Sequence, residues 1–515
     1  MFYRYLYGIL LLVLGLSLTF SFNGQTTALA MHNTQELDPS VIDTYVIGQM
    51  NELKIPGVAI GIVRGDQIVY VQGYGIADDL GRAMTPQTPF LVASFSKSIT
   101  ATGIMQLVDE GKIDLDAPVQ TYLPWFEVED TEYSSQITVR HLLTQTSGFS
   151  ELEGNKRNLD TNFGKDALET SIRELNEQSL NSTPGTTFEY SNTNYDVLGL
   201  LIQTVSGQSY ESYIQEKIFT PLGMTNSYTS LAEARTANIT SGYYPFFGFP
   251  IAWENNMPYS RIITPSTGLF SSAEDMSRYL VAHLNQGNYQ GTSIITPKGV
   301  EELHTLAANY SENTGYAMGW TVFPFPQADP ENEPPTTLAH GGRWIGYQSL
   351  MVIIPDKEVG VVVMFNKSDP SRDIAMDNIG WSLTLLALGL EPLSAPDPDF
   401  LSKYGRVLLA GILLLLFIGL IWSFSKVHQL SSQQRLDAKQ GRKAINLVIA
   451  FTLLDLTLAS VLLFLWLPNQ NDTIPLALNF SPDIGWMYVL LLILTLGGVL
   501  ARFVFFISKF RALKF

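Results

Sequence analysis

The sequence predicts an α+β fold: an antiparallel β-sheet flanked by helices, with a helical or mixed subdomain, followed by three transmembrane α-helices. Three observations support this. Runs rich in β-formers occur near both ends of residues 31–390, helical patterns lie between and after them, and three long apolar runs follow residue 400. Residues 31–390 are therefore predicted to form one globular domain, and residues 406–515 a membrane domain.

The globular domain is predicted to begin with a helix over residues 40–54, followed by a β-hairpin formed by residues 58–63 and 67–72. A second pair of β-rich runs, 349–354 and 359–365, lies near its far end. The region between mixes helical patterns with many turn residues, which predicts helices beside the sheet. Three prolines in residues 391–405 predict a linker to the membrane helices.

The first 30 residues have the pattern of a secretory signal peptide. Arg4 precedes an apolar stretch over residues 8–20, and Ala28-Leu29-Ala30 fits a cleavage site. An uncleaved anchor is the alternative, but the stretch is short for a membrane span, which needs about 20 residues.

The three apolar runs, about 407–424, 444–467 and 484–507, are predicted to cross a membrane. The loop after the first run contains five Lys or Arg residues, and the segment after the last run contains three. Residues 468–483 contain none. Cytoplasmic loops are enriched in such residues, so the globular domain is predicted to lie outside and the C-terminus in the cytoplasm. Asp455 lies in the middle of the second run, where a charge is costly and often functional, and Arg502 is a candidate partner that is poorly matched in depth. A protonated or helix-paired Asp455 without a function is the alternative.

Composition bears on how the domain is stabilised and on which partners it can have. The chain has no cysteine, so the exported domain must be stabilised by its core alone. The formal net charge of −17 argues against nucleic acid or an anionic membrane surface as a partner. The six histidines are scattered and form no metal-binding motif, so no metal is expected.

The first candidate catalytic motif is Ser94-Phe95-Ser96-Lys97. Ser-x-x-Lys occurs by chance about once or twice in a chain of this length, and a second copy, Ser423 to Lys426, lies in an apolar run. In a helix beginning near Phe95, Lys97 lies beside the Ser94 hydroxyl and can take its proton if burial lowers the lysine pKa. A capping serine with a solvent-facing lysine is the alternative.

The second motif, Tyr190-Ser191-Asn192, precedes a helical pattern over residues 197–205. A phenol beside Lys97 can pass a proton to a leaving group and later activate water. Asn192 can both donate and accept hydrogen bonds, which suits a residue that holds a substrate amide. A polar helix N-terminus with a packed tyrosine is the alternative.

The third motif, His340-Gly341-Gly342, precedes the predicted strand over residues 349–354. Glycines allow a substrate backbone to approach a strand edge and pair with it. If His340 lies near Tyr190, it can donate to a substrate carboxylate or tune the tyrosine. A glycine-rich turn with an incidental histidine is the alternative.

In this order and with these spacings, the motifs resemble those of the β-lactamase-related serine hydrolases, which include penicillin-binding proteins, class C β-lactamases, D-alanyl-D-alanine carboxypeptidases and esterases. The resemblance covers about residues 40–390. It implies a β-lactamase/transpeptidase-like fold and no cofactor. The site that it implies consists of catalytic Ser94, Lys97 and Tyr190, substrate-binding Asn192, His340 and Gly342, and the backbone N–H groups of Ser94 and Arg343 as an oxyanion hole.

Three positions depart from the family pattern. Gln145 stands where many relatives have histidine and is expected to affect packing more than chemistry. His340 replaces a lysine, which is closer to the carboxypeptidase and esterase members. Arg343 replaces a small residue and is expected either to face a substrate carboxylate or to narrow the cleft. No motif places a second carboxylate, so deacylation is expected to depend on Tyr190.

The leading prediction is a serine hydrolase anchored in a bacterial cell membrane, cutting a D-alanyl amide, ester or β-lactam-like substrate through a Ser94 acyl-enzyme. Its implied partners are a small-molecule or wall-peptide substrate and the lipid bilayer. The alternative is a penicillin-binding sensor that is acylated without turnover and signals through membrane partners. The predicted cytoplasmic segments are too short for a signalling domain, which favours the enzyme.

Overall fold

The computed structural model describes residues 37–510 except for residues 158–161, 254–258, 326–333, 395–399, 433–445, 447–448, 451, 454 and 461–481. The predicted signal peptide lies outside the described residues, as does more than half of the second predicted membrane run. The described part contains an α+β domain built around one antiparallel sheet and followed by long apolar helices. The predicted α+β fold class is confirmed.

The strands are distributed over the whole domain. In chain order they are β1 (Gly57–Arg64), β2 (Gln67–Gly75), β3 (Phe90–Leu91), β4 (Gly242–Phe246), β5 (Phe249–Trp253), β6 (Phe270–Ser271), β7 (Asn288–Tyr289), β8 (Thr292–Ser293), β9 (Ala308–Ser311), β10 (Thr314–Tyr316), β11 (Thr321–Pro324), β12 (Thr336–Trp344), β13 (Tyr347–Ile354) and β14 (Val359–Phe365). Within the described residues, eight strands form the central sheet in the order β2-β1-β14-β13-β12-β11-β10-β9. The others form three two-stranded ribbons, β3 with β6, β4 with β5, and β7 with β8.

Both predicted strand pairs are present, and β14 also pairs with β1. Val58 lies opposite Phe365 and Arg64 opposite Val359, so the two ends of the domain meet within the sheet. Every residue of β14 is buried. Helices cover both faces of the sheet at this strand, which explains its unbroken apolar sequence.

Helices lie on both faces of the sheet. In chain order the helices of the domain are α1 (Pro39–Leu53), α2 (Phe95–Asp109), α3 (Thr131–Ser134), α4 (Val139–Leu143), α5 (Glu151–Arg157), α6 (Ala167–Arg173), α7 (Asn192–Ser206), α8 (Tyr210–Ile214), α9 (Leu231–Thr236), α10 (Ala273–Leu284), α11 (Pro297–His304) and α12 (Asp373–Ala387). Two longer helices follow, α13 (Phe400–Ser432) and α14 (Pro482–Phe510).

Two hydrophobic cores lie on opposite faces of the sheet. Alternate residues of β1 divide between them, as the two-residue period of a strand requires. Val58, Ile60 and Ile62 belong to the core that contains residues of α1 and α12. Ala59 and Val63 belong to the larger core, which continues under α10 and the helical region.

The helix α2 lies at the centre of the larger core, and residues 95–107 are all buried. Its polar side chains have partners: the hydroxyls of Ser98 and Thr102 lie 2.7 and 2.9 Å from the Tyr279 hydroxyl. Contacts with α7, α11 and β12 surround the helix. Because α2 is held on all sides, its N-terminal end has a fixed position in the domain.

Two described helices are long and apolar enough to cross a membrane, over Tyr404–Ile421 in α13 and Pro482–Phe503 in α14. Since α13 begins at Phe400, the predicted linker over residues 391–405 is shorter than expected. In the second predicted run, the described residues 446, 449–450, 452–453 and 455–460 are helical.

Asp455, in that second run, forms an ion pair with Arg502 of α14. The expectation that the two residues are poorly matched in depth is therefore wrong. Gly498 lets them approach, because a Cβ there would lie 2.7 Å from an Asp455 carboxylate oxygen. Pairing lowers the cost of two charges in an apolar environment.

Arg406, near the start of α13, joins both long helices to the domain. It donates to Asp483 in the first turn of α14 at 2.8 Å and to Ser371 of the domain at 2.9 Å. Further along both helices, the Leu420 side chain lies 3.5 Å from the position of a Cβ at Gly498. The two helices therefore run parallel, with their N-terminal ends at the domain.

Gly61→Ala is expected to destabilise the domain. A Cβ at Gly61 would lie 1.9 Å from Ser277 Oγ and 3.1 Å from the Ala273 carbonyl oxygen, both on α10. The helix must move off the sheet, so we expect the free energy of unfolding to fall by about 1–3 kcal/mol, measured as a lower thermal midpoint. The control is Gly48→Ala in α1, where a Cβ meets nothing within 4 Å. It is expected to raise stability by about 1 kcal/mol, and equal effects of the two substitutions would contradict this packing.

Candidate active site

Ser94 lies at the N-terminus of α2, in the turn that joins β3 to this helix. The preceding residue, Ala93, has a φ of 48°, in the left-handed region that is strained for a residue with a side chain. Ser94 is half-buried, whereas its neighbours are buried. Its backbone N–H has no hydrogen-bond partner in the part of the chain that the structure describes. The N–H is therefore available to an incoming oxygen.

Lys97 lies one turn further along α2 and reaches back to the serine. Its Nζ donates to Ser94 Oγ at 3.1 Å, to Asn192 Oδ1 at 2.6 Å and to the Ser266 carbonyl oxygen at 2.9 Å. The side chain is fully buried. Burial lowers the pKa of Lys97 to about 7, although the carboxyl of Asp196 opposes this shift.

These three contacts determine what the amine can do after it loses a proton. The Asn192 Oδ1 and the Ser266 carbonyl oxygen can only accept hydrogen bonds. A neutral amine keeps its two hydrogens on these oxygens, so its lone pair is directed at Ser94 Oγ. The Ser94 hydroxyl then donates to Lys97, which is the arrangement that a general base requires.

Tyr190 lies in the loop before α7 and faces the same lysine. Lys97 Nζ is 4.9 Å from the centre of its ring. Burial raises the pKa of the Tyr190 phenol well above its usual range, and Tyr316 adds to this shift, while hydrogen bonding to Ser94 opposes it. The phenol is therefore protonated near neutral pH and can act as a proton donor.

Asn192 is the first residue of α7, which begins five residues earlier than its helical pattern indicated. The loop before it is held by Gln145, whose Oε1 accepts from Ser191 N–H at 3.0 Å and from Asn194 Nδ2 at 2.5 Å. Gln145 is fully buried. It thus positions the second motif, a role that the sequence reasoning missed. The signal in the sequence was its departure from the family pattern, in which many relatives have histidine at this position.

Asp196 is the second residue that no motif indicated. It lies one turn after Asn192 on α7 and is fully buried. Burial raises its pKa to about 7, and the Ser266 side chain, Arg157 and Lys97 oppose this shift. A carboxyl and an amine near Ser94 therefore titrate in the same pH range and influence each other.

The third motif lies inside β12. His340 Nδ1 is 2.8 Å from the Gly341 carbonyl oxygen, which only accepts, so Nδ1 carries the proton. His340 Nε2 then accepts from the Tyr316 hydroxyl at 3.3 Å. Burial, and secondarily Lys97, lower the pKa of His340 to about 3, so the ring is neutral at physiological pH. With both nitrogens engaged, the neutral ring has no free proton for a substrate carboxylate.

Gly342 brings β12 against the Ser94 turn. A Cβ there would lie 2.4 Å from the Val92 carbonyl oxygen and 2.4 Å from Ser349 Oγ, so only glycine permits this approach. The register of β11 with β12 ends at Ala339. Beyond Ala339, the edge of β12 on the side of β11 has no paired strand among the described residues. An extended ligand can therefore add to this edge.

The Arg343 side chain does not face the Ser94 turn. Side chains alternate between the faces of a strand, so the guanidinium lies on the face opposite Gly342. It forms ion pairs with Asp373 at 3.3 Å and Asp377 at 2.5 Å, both on α12. Neither expectation for this side chain, contact with a substrate carboxylate or narrowing of the cleft, is met. Only its backbone N–H remains for a role at the site.

The structure thus brings the predicted site residues together from three elements that are distant in the chain. They are Ser94 and Lys97 from α2, Tyr190 and Asn192 from the start of α7, and His340 and Gly342 from β12. Within the described ranges, no three His, Asp or Glu side chains are grouped so as to hold a metal ion. The arrangement combines a hydroxyl, a buried amine, a protonated phenol and an open strand edge.

Two proteins of similar sequence show how far the relationship extends. Penicillin-binding protein 4 of Amycolatopsis lactamdurans is 28% identical over 331 residues, which is 61% of this chain and 82% of that protein. Protein flp of Staphylococcus aureus (strain COL) is 28% identical over 326 residues, or 63% of this chain and 62% of flp. The match thus spans less than two thirds of the length of flp.

Solved structures give the same relationship. The octameric penicillin-binding protein homologue from Pyrococcus abyssi has a TM-score of 0.59 and 29% identity, covering 70% of this chain and 79% of that one. D-alanine carboxypeptidase AmpC from Burkholderia cenocepacia has a TM-score of 0.55 and 23% identity, covering 68% and 98%, and this likeness concerns the fold alone. A family model described as Beta-lactamase matches residues 42–385, from α1 into α12. Because this match contains the whole sheet and all three motifs, the chain belongs to the β-lactamase family.

Proposed function

We propose that the protein is a membrane-anchored, extracytoplasmic serine hydrolase that acts through a Ser94 acyl-enzyme on D-alanyl amide, ester or β-lactam-like substrates. The observation that carries this proposal is the contact between the buried Lys97 amine and Ser94 Oγ at 3.1 Å. A serine without an adjacent base is a poor nucleophile, and this geometry supplies the base. Membership of the β-lactamase family supports the reaction class.

In the acylation step, neutral Lys97 takes the hydroxyl proton as Ser94 Oγ attacks the carbonyl carbon of the substrate. The carbonyl oxygen becomes an oxyanion, to which the N–H groups of Ser94 and Arg343 donate. The Ser94 N–H, which has no partner among the described residues, supports this role. The intermediate then collapses, and the bond from the carbonyl carbon to the leaving group breaks.

The leaving group needs a proton, and Tyr190 is its proposed source. The Tyr190 phenol gives its proton to the departing nitrogen or oxygen and regains one from the Lys97 ammonium, so both groups return to their starting states. In deacylation, the same pair takes a proton from water as the water oxygen attacks the ester. The Ser94 oxygen leaves with a proton, and the free acid is released.

The substrate class follows from the strand edge and from the relatives. An extended acyl group can pair with the open edge of β12 beside Ser94, while Asn192 holds its amide. His340 acts through Tyr316 on the surroundings of Tyr190 and does not donate directly to a substrate carboxylate. A protein of similar sequence carries the name penicillin-binding protein, which supports a β-lactam-like or D-alanyl substrate.

The anchoring part of the proposal rests on the long helices. Because α13 and α14 run parallel, two crossings in the same direction require a third segment that returns between them. The predicted run over residues 444–467 supplies such a segment. The distribution of Lys and Arg supports an outer hydrolase domain and a cytoplasmic C-terminus.

Ser94→Ala is expected to abolish covalent labelling, since Ser94 supplies the attacking oxygen. Intact mass after incubation with a fluorophosphonate or penicillin is expected to show an adduct on the wild type and none on the variant. Ser423→Ala, in the second Ser-x-x-Lys motif, is the matched control and is expected to react like the wild type. An equal adduct on the Ser94 variant would reject this nucleophile.

Turnover then separates the enzyme from the sensor that is acylated only once. Steady-state hydrolysis of a thioester or a chromogenic cephalosporin is expected to continue over many turnovers. A single burst equal to the amount of protein would favour the sensor.

The rate of Ser94 acylation is expected to rise with pH through an apparent pKa near 7. Lys97 is a base only when neutral, and its pKa is lowered to about 7, so the active form dominates above that pH. Asp196→Asn removes a charge that raises the Lys97 pKa, so the rising limb is expected to move to lower pH. The pH dependence of fluorophosphonate labelling measures this shift, and exposed Asp79→Asn serves as the control. An unchanged profile in the Asp196 variant would contradict the coupling.

Gln145→Leu is expected to slow acylation by about 10–100-fold, because a buried donor left unpaired costs about 1–3 kcal/mol. The substitution removes the acceptor of the Ser191 N–H and of Asn194 Nδ2. It therefore loosens the loop that carries Tyr190 and Asn192. Labelling rates measure the effect. Gln72→Leu, exposed on β2, is the matched control. Equal rates for the two variants would show that packing alone explains Gln145.

A further inference from the structure

The β4–β5 hairpin ends in an exposed apolar tip. Phe246, Phe247, Phe249 and Ile251 are 40, 48, 64 and 42% exposed. We call the three phenylalanines the aromatic tip, and Ile251 lies beside them on β5. Single apolar residues are common on protein surfaces, but a cluster of large ones marks a surface that contacts an apolar partner.

The turn of this hairpin places a phenylalanine where the backbone favours another residue. Phe246 pairs with Phe249, so the loop contains only Phe247, with φ 50°, and Gly248, with φ 81°. Two positive φ values are typical of a type I′ turn, whose first position usually carries Asn, Asp or Gly. An exposed phenylalanine in a strained conformation is not explained by folding, and such strain points to a functional use.

The aromatic tip lies at the domain end of α14. The Phe247 N–H donates to the Asp483 carboxylate at 2.9 Å, and the apolar run begins at the next residue, Ile484. Trp486, one turn into the helix, is 58% exposed. Aromatic residues of membrane helices concentrate where the hydrocarbon meets the headgroups. The aromatic tip and Trp486 therefore lie close to one level along the helix.

We propose that the aromatic tip inserts into the outer surface of the bilayer that α13 and α14 cross, and so holds the hydrolase domain against the lipid. This inference rests on the proposed membrane anchoring. The occupant is lipid because α14, which the hairpin contacts, brings the bilayer surface to the tip.

A lysine beside the aromatic tip fits the same surface. Lys54 Nζ donates to the Gly248 carbonyl oxygen at 3.0 Å and lies 4.6 Å from the centre of the Phe249 ring. An ammonium at the rim of an apolar patch suits the phosphate level of a bilayer. Insertion is driven by apolar burial, so it needs no anionic lipid and is compatible with the net charge of −17.

The chain offers a direct test because it has no cysteine. Phe249→Cys in the aromatic tip, Leu490→Cys in α14 and Ser311→Cys at the far edge of the sheet each create one labelling site in the full chain. Leu490 and Ser311 are both exposed in the structure. Each variant is spin-labelled and reconstituted into phosphatidylcholine bilayers. Collision rates with oxygen, which dissolves in lipid, and with a water-soluble nickel chelate are then measured.

We expect the ratio of oxygen to nickel collisions at positions 249 and 490 to exceed that at position 311 several-fold. If this ratio is high at position 490 but is the same at position 249 as at position 311, the inference is overturned and the membrane anchoring stands. If the ratio at position 490 is the same as at position 311, both the membrane anchoring and the inference are overturned. Fluorophosphonate labelling of the same samples reports independently on the Ser94 site and on folding. If Phe249→Cys does not label, Phe246→Cys tests the same surface.

Discussion

The burial of one lysine amine is the constraint on which the rest of the site depends. A buried ammonium is costly, so Lys97 has a pKa near neutrality. The amine is retained because Asn192 and the Ser266 carbonyl oxygen hold its hydrogens. Those two acceptors come from distant parts of the chain, so the proposed base forms only when α2, α7 and the segment before β6 are packed together. The position of the Lys97 amine is thus coupled to the packing of the domain through two hydrogen bonds.

The second constraint is the close approach of β12 to the start of α2. Strand alternation explains both Gly342 and Arg343. The inward position must be glycine, because the Val92 carbonyl oxygen occupies the space of a Cβ. The next side chain faces outward and pairs with Asp373 and Asp377 on α12. A strand with this pattern presents its backbone to the Ser94 turn and keeps its charged side chain on the opposite face.

The domain and the long helices share buried charges. Arg406 contacts Asp369 and Asp483, which are 3 and 1% exposed, and Lys367 lies 3.5 Å from Asp369. Buried charges of this kind tolerate little rearrangement, because separating the partners leaves a charge uncompensated. Together with the hairpin beside α14, this network gives the domain a defined orientation at the helix ends.

The sequence by itself determined the α+β class, the β1–β2 and β13–β14 strand pairs, α1 and the three motifs. Hydrophobic periods of two residues in strands and 3.6 residues in helices, and the turn residues between them, are local properties of the chain. The sequence also located the apolar runs of α13 and α14 by composition. Only the tertiary structure decided that Gln145 holds the second motif, that Asp196 lies near Lys97, that Arg343 faces α12 and that Asp455 meets Arg502. Each of these depends on which side chains meet across long separations in sequence. Such contacts arise from the packing of whole elements, and no local pattern records them.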